Sequence, residues 1–535
     1  MTTELATGVG GTEEHRLALT DSSATVLSVA SILAESAYRR GDKIALIEDD
    51  RQHTFAETWE QARRYAAGLQ ARGVRPGDRV ALLAPNVAEF VFAYYGIFAA
   101  GGVVVPVPTL LTPGEAGHLV GDSGAMLVIS HASFGETGAA VAQASGVPHA
   151  DLAELADHEP LARMVPSRPM DVAVIFYTSG TTGRPKGALL SHLNMVMNAT
   201  VNAFDVGRTV EPDEVVLACL PLFHVFGQTS VLNSSFRKGS TLVLQPRWDA
   251  ARAIELMAEH DVTLFCGVPT MFVGLVDAAR DAPRLPKLRH AGSGGASLPV
   301  ALLRRFEEIF SAEIHEGYGL SETASGASAN QATFGTRPGS VGHGMWGVET
   351  AIADPADRAR IRLLEPGETG EIVVRGHNVF GGYLDSENLD GAAATAAAVV
   401  DGWFRTGDLG HADADGFVHI VDRLKDLIIR SGFNVYPREV EEVLMGHPDV
   451  GQVAVIGLPD HRVGEEVCAV VVPATGRRID PEELGAWARD RLARHKFPRR
   501  IEVVDALPTG PSHKVLKREL RARLARPGND EKVSN

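Results

Sequence analysis

VAVIFYTSGTTGRPKG, residues 172–187, is the stretch from which the rest of the chain can be read. VAVIFY is apolar and uncharged, too short for a core helix and suited to a strand buried on both faces. It runs directly into YTSGTTGRPKG (177–187), which carries three glycines and two cations. Successive backbone amides in such a turn form an anion-binding nest, and glycine lets the chain approach phosphate closely. Thr178, Ser179, Thr181 and Thr182 add hydroxyl donors, and Lys186 adds a mobile positive charge. The residues point to a polyphosphate loop, with an ordinary Gly/Ser/Thr surface turn as the alternative. It is not a Walker A loop, which needs Gly-Lys-Ser or Gly-Lys-Thr, because Lys186 stands between Pro185 and Gly187. Nor does it contain the G-x-G-x-x-G of a dinucleotide fold.

Outward from this stretch the alternation continues in both directions. KIALIE (43–48) and RVALLAP (79–85) are strand-like, and FAETWEQARRYAAGLQARG between them reads as a helix ending in glycine. VVLACL (215–220), TLVLQ (241–245) and VTLFC (262–266) read as further buried strands. AARAIELMAEH and residues 269–280 read as helices between them. Apolar strands alternating with helices predict α/β layers. FVFAYYGIFAAGGVVVPV (90–107) is 18 residues without a charge. A membrane span needs about 20 such residues, so this segment is expected to be a buried helix followed by a short buried strand, with no stable transmembrane insertion.

Near Arg423 the texture changes. A Gly-rich stretch, HNVFGGYLDSENLDG, and then DGWFRTGDLG give way to a unit with its own elements. These are strand DLIIR, helix PREVEEVLMGH, strands VGQVAVIG and EEVCAVVV, and helix PEELGAWARDRLARH. About 110 residues suffice for a small α+β domain. The expected fold class is therefore α/β and α+β multidomain: a body of layered sheets and helices over residues 1–422, and a small α+β domain over residues 423–535.

Composition narrows the function. Of the 535 residues, 45% are hydrophobic and 22% charged, which excludes wholesale disorder. The formal net charge of −16 argues against nucleic acid as a partner. The exception is residues 494–526, rich in Lys and Arg, a local basic patch suited to a small polyanion or simply a solvated face. Three cysteines, Cys219, Cys266 and Cys468, make neither a disulfide framework nor a metal cluster and fit a reducing compartment. The opening MTTELATGVGGTEE lacks a basic region leading into an apolar run, so no secretory signal is expected.

With these blocks in view, YTSGTTGRPKG resembles the signature of the AMP-forming acyl- and aryl-CoA synthetases, the adenylating superfamily that includes firefly luciferase and peptide-synthetase adenylation domains. PLFHVFG (221–227), GYGLSET (317–323), GEIVVRG (370–376), GWFRTGDLG (402–410), DRLKDLIIRSGFNVYPREVEE (422–442) and LPTGPSHKVLKREL (507–520) follow in the family's order. The resemblance spans about residues 25 to 525 and is strongest to bacterial medium- and long-chain fatty-acid–CoA ligases.

The resemblance implies a site. Thr178, Ser179, Gly180, Thr181, Thr182, Gly183 and Lys186 would form the phosphate loop, with Gly319 and Ser321 beside it. Glu322 would hold Mg²⁺ against ATP, as a carboxylate beside phosphate requires a cation between them. Tyr318 would stack on adenine, Asp408 would accept from the ribose hydroxyls, and Arg423 would accompany it. His224 would orient the incoming carboxylate. Lys514 would bridge carboxylate and α-phosphate during adenylation. Its preceding residue is His513 where the family usually has Gly; Lys517 is a minor alternative for the catalytic lysine. Lys425 is expected as the hinge about which the C-terminal unit rotates, bringing Gly432 and Phe433 to the pantetheine side. Gly292, Gly294, Gly295 and Ala296 in GSGGASLP would line the acyl pocket, together with His224.

The implied activity is a fatty-acid–CoA ligase: acid and MgATP give acyl-AMP and pyrophosphate, then CoA thiol attacks the adenylate. The expected acid is a fatty acid of medium to long chain. No Lys or Arg lies within GSGGASLP or PLFHVFG to pair a second carboxylate, which disfavours malonate-type acids. A fatty-acyl-AMP ligase loading a carrier protein and an aryl-CoA ligase are the alternatives, and an acyl- or nucleotide-binding module is the non-enzymatic one. A cytoplasmic protein, peripheral membrane contact and a homodimer complete the expectations.

Overall fold

The computed structural model describes residues 27–179, 185–206, 213–387, 389–510 and 514–525. Gly180, Thr181, Thr182, Gly183 and His513 therefore lie outside the described residues, as does the side chain of Ser179.

The apolar runs pair into two large sheets. One has strand order His149–Asp151, Leu127–Ser130, Arg79–Leu83, Val103–Pro106, Val172–Ser179 and Pro185–Ser191. Its strands are parallel except at the last pair, where Val172–Ser179 and Pro185–Ser191 form an antiparallel hairpin. The described ends of the phosphate-loop motif are thus paired strand residues, Ser179 opposite Pro185. The other sheet has a parallel centre in the order Glu313–Tyr318, His290–Ser293, Leu264–Gly267, Val215–Ala218, Thr241–Leu244 and Ile44–Glu48. Antiparallel strands flank it at both edges.

The helices follow local chemistry. Phe55–Ala71 starts at a capping box, in which Thr54 Oγ1 accepts the Glu57 N–H and the Glu57 carboxylate accepts the Thr54 N–H. The uncharged segment at 90–107 is the helix Ala88–Ala99 and the strand Val103–Pro106, both buried. Its two tyrosine hydroxyls are satisfied in the core: Tyr95 donates to Asn233 Oδ1 at 2.8 Å, and Asn233 Nδ2 donates to Tyr94 at 2.9 Å. Among the described residues no helix is long and apolar enough to cross a membrane.

A third sheet contains Val348–Ala353, Gly370–Gly376, Trp403–Ala412 and Val418–Arg423. A fourth, further along the chain, contains Ile428–Arg430, Phe433–Val435, Val450–Asp460, Gly464–Pro473 and Arg500–Val503. Helices Pro437–Met445 and Pro481–Arg491 cover the fourth around Ile428, Val440, Val455, Val467 and Leu484. The chain passes from the third sheet to the fourth through residues 424–427, in a turn closed by the Asp426 and Leu427 N–H groups on the Arg423 carbonyl. The architecture is mixed α/β and α+β, as the strand–helix rhythm predicted. One feature was not legible: PLFHVFG leads into a wide, π-type helical stretch, Phe226–Asn233. Such stretches cluster at functional sites.

Candidate active site

A cavity of about 200 Å³ runs along the parallel strands of the large sheet from their C-terminal ends. Lys514 reaches into its mouth. A Cβ built on Gly295 would stand 3.0 Å from Lys514 Cε and 3.5 Å from Nζ, so the lysine stem lies on a surface kept bare by glycine. Gly295 also has φ +78°, a left-handed conformation that L side chains resist. The Lys514 segment is held by a short return of the chain, in which Gly510 N–H donates to the Lys514 carbonyl and Leu516 N–H to Pro508. Burial, and next Arg423, push the Lys514 ammonium down to about 8, against the pull of Asp408 and Glu322. Lys517, three residues on, is instead ion-paired with Glu441 at 2.7 Å and titrates higher than a free lysine. The two lysines separate into one cation aimed at the cavity and one that braces the fold.

His224 lines the same mouth. Its Nδ1 accepts the Phe226 N–H at 3.2 Å, which puts the ring proton on Nε2. Burial, with Lys514 second, lowers its pKa to about 3, so the imidazole is neutral at physiological pH and Nε2–H is a donor. It can orient a carboxylate without exchanging a proton.

The nucleotide-side residues converge from separate elements. Tyr318 donates its hydroxyl to Asp408 Oδ2 at 2.7 Å, and Arg423 Nε meets Asp408 Oδ1 at 3.0 Å. Ser321 and Gly319 line the cavity beside them. A Cβ on Gly319 would fall 1.6 Å from the Ser325 carbonyl oxygen, so only glycine fits that close approach. Thr178 Oγ1 donates to Glu322 Oε1 at 3.2 Å, and the Tyr383 hydroxyl donates to the same oxygen at 3.1 Å. Lys186 Nζ sits 5.0 Å from the Tyr383 ring centre. Tyr383 links the phosphate-loop lysine to the acidic residue. It was missed from sequence because GGYLD carries no spacing that singles it out.

The deep half of the cavity is lined by Cys266, Gly292 and two histidines that sequence reasoning also missed, His290 and His315, with Gly294 nearer the mouth. Ala296 was expected on this wall and is not there: it is exposed, because the left-handed Gly295 turns the chain outward. The floor carries Lys238 and Glu214, paired at 3.0 Å, so the one lysine there is already neutralised. The hinge-side expectations fall elsewhere. Lys425 lies in the turn after Val418–Arg423, its pKa lowered by burial, while Gly432 and Phe433 are outside the cavity lining. Phe433 is exposed and stacks on His495 at 4.8 Å.

Residues 33–384 match the AMP-binding enzyme family, and residues 439–514 match the AMP-binding enzyme C-terminal domain. A feruloyl-CoA synthase of Amycolatopsis sp is 41% identical over 478 residues, covering 88% of this chain and 94% of that protein. A long-chain-fatty-acid–CoA ligase of Bacillus subtilis is 34% identical over 535 residues, covering 92% and 94%. The solved structure of o-succinylbenzoate coenzyme A synthetase from Bacillus subtilis, in complex with ATP and magnesium ion, superposes with a TM-score of 0.80 at 33% identity, over 91% of this chain and 98% of that one. The relatives divide between aryl and alkyl acids, but they share one chemistry with the residues gathered around Lys514: the chain belongs to the AMP-binding enzyme family and is an adenylate-forming acyl/aryl-CoA ligase.

Proposed function

We propose that this protein activates a compact carboxylic acid with ATP and transfers it to CoA. The observation that carries the reading is the Lys514 ammonium at the cavity mouth, facing the neutral His224 donor on one side and Glu322, Asp408 and Tyr318 on the other. His224 Nε2–H would hold one carboxylate oxygen while the other attacks the α-phosphorus in line with departing pyrophosphate. Lys514 would neutralise the charge that accumulates between them, an electrostatic contribution matched to the transition state. Tyr318 and Asp408 would position adenine and ribose. Glu322 is buried, with both hydroxyl donors on Oε1, which leaves Oε2 as the oxygen that would hold a magnesium ion; bound there, the ion would neutralise phosphate charge.

No protein nucleophile is needed. All three cysteines are free and buried, and burial raises Cys266 and Cys468 to about 12 and Cys219 further, so none is a thiolate at neutral pH. Buried free thiols also support the cytoplasmic placement. For the thioester step, the unit from Arg423 onward would rotate about residues 424–427, carrying Lys514 out and Gly432 and Phe433 in. The C-terminal unit offers a pocket for this purpose, where Arg462, Arg494 and Arg499 stand around Phe433 while Arg430 is already paired with Glu466, cations and an aromatic face suited to an anionic nucleotide such as that of CoA.

The acid is the finer question. From Gly294 at the mouth to His290 is four residues, about 13 Å at ~3.3 Å per strand residue. The cavity of about 200 Å³ lies below the ~300–1,000 Å³ usual for ligand sites. This favours an aryl acid or the medium-chain end of the fatty acids over a long chain, and the feruloyl-CoA synthase relative supports the aryl reading. The test is mass-spectrometric product analysis with MgATP and a ladder of C4 to C18 fatty acids, cinnamate and benzoate, with and without CoA. Acyl-CoA, AMP and pyrophosphate appearing together only with CoA support the ligase. Accumulating acyl-AMP with no response to CoA sinks the thioester half and favours a carrier-protein acceptor.

A further inference from the structure

We propose that the deep end of this cavity is a hydrogen-bonding subsite for a hydroxyl group on an aromatic acid, with His315 Nε2 as its acceptor and His290 beside it. The inference rests on the carboxylate–CoA ligase reading and deepens it.

Two neighbouring parallel strands carry the same pattern, HAGSG at 290–294 and HEGYG at 315–319. Side chains on a strand alternate faces, so His290, Gly292 and Gly294 share one face, and His315 and Gly317 share a face on the next strand. The register pairs Gly292 with His315, so the two rows lie on the same side of the sheet. Gly292 and Gly294 in one row and Gly317 in the other leave that side open toward the mouth, and a histidine ends each row at depth. The walls are close: a Cβ at Gly294 would stand 3.2 Å from the Phe226 ring, and one at Gly292 would stand 3.1 Å from Cys266 Sγ. A corridor between a phenyl ring and a thiol suits a flat ring better than a coiling chain.

The two imidazoles lie edge-on, with centroids 5.7 Å apart. His315 Nδ1 donates to the Asn330 carbonyl at 3.1 Å, which fixes the tautomer and leaves Nε2 a bare acceptor. His315 Nε2 and His290 Nδ1 are both buried without a hydrogen-bond partner among the described residues, the nearest carboxylate oxygen to His315 Nε2 being Glu313 Oε2 at 3.7 Å. Such atoms are rarely left unsatisfied. The floor beyond them, Lys238 with Glu214, is internally paired and offers no cation to a second carboxylate. What remains is an acceptor for an O–H donor.

A matched set of acids tests this: 4-hydroxycinnamate, cinnamate and 4-methoxycinnamate with MgATP and CoA, read as kcat/KM. The hydroxylated acid is expected to exceed cinnamate by at least about tenfold, since a site built to bind a hydroxyl rejects the analogue lacking it. The methyl ether, which cannot donate, is expected to group with cinnamate. In His315→Phe the ratio of hydroxylated to plain acid is expected to collapse toward one, and in His290→Phe to shrink. If the wild-type ratio is already near one, or the methyl ether matches the hydroxyl, the subsite is wrong while the ligase stands. If no acid in the wider ladder yields a CoA ester, the ligase reading itself has failed.

Discussion

At the mouth of the cavity, Lys514, His224, Glu322, Tyr318 and Asp408 come from four blocks of sequence spread over almost 300 residues, and each sits in a block whose pattern announces it. At the deep end, His290 and His315 come from adjacent strands and sit in no recognised block. The mouth is held by charge and hydrogen bonds between distant segments: Tyr318 and Arg423 on Asp408, Thr178 and Tyr383 on Glu322. The way down to them is shaped by what is missing, the side chains of Gly292, Gly294 and Gly317. The chemistry common to a family is carried by residues that must meet in one geometry, whereas the choice of acid is carried by the volume and polarity of a strand face, which can change one residue at a time.

The contrast can be broken most severely at Lys514. Lys514→Ala is expected to lower adenylation by about 10²–10³-fold, as for loss of one transition-state donor. ATP–pyrophosphate exchange measures this step. Thioester formation from supplied acyl-AMP is expected to suffer far less, so an equal loss in both halves would contradict the assignment. At the other end, Gly292→Leu would fill the corridor two residues, about 7 Å, below Gly294. Butyrate is expected to retain its turnover while acids longer than about eight carbons lose at least tenfold in kcat/KM; uniform loss across the ladder would mean that Gly292 serves the mouth as well.

A pH profile sharpens the same division. Lys514 acts as its ammonium, and its pKa is lowered to about 8, so the active form is complete below that value and is lost as pH rises through it. kcat/KM for adenylation should fall above pH 8. His224, lowered to about 3, should add no limb between pH 5 and 8. A rate that climbs through pH 8 would rule out the charged lysine as the working form. Tyr383→Phe removes one hydrogen bond to Glu322. It should weaken apparent MgATP affinity by about three- to tenfold, on the order of 1 kcal/mol, with acid KM unchanged. The smallest effect belongs to Lys517→Ala. Losing its ion pair with Glu441 should cost about 1 kcal/mol of stability, seen as a lower Tm, with adenylation intact.

Much of this was present in the order of residues. Strand–helix alternation predicted the layered sheets, because a strand buried on both faces must be apolar throughout, and VAVIFY and VVLACL are. The uncharged 90–107 segment was legible as core because two glycines and a proline break it before a membrane is spanned. The blocks around Lys514, Glu322, Asp408 and His224 were legible because motif spacing survives without coordinates. Ala296 was misplaced because the left-handed turn at Gly295 is a backbone conformation that composition does not reveal. Tyr383 escaped notice because its partners, Lys186 and Glu322, lie 197 and 61 residues away in sequence. HAGSG and HEGYG were both in plain view, but nothing in one dimension says that they lie side by side. Sequence determined the elements and the reactive residues, since both depend on local pattern. Only the tertiary structure decided which histidines end the acid's corridor, because strand order and register are set by long-range pairing.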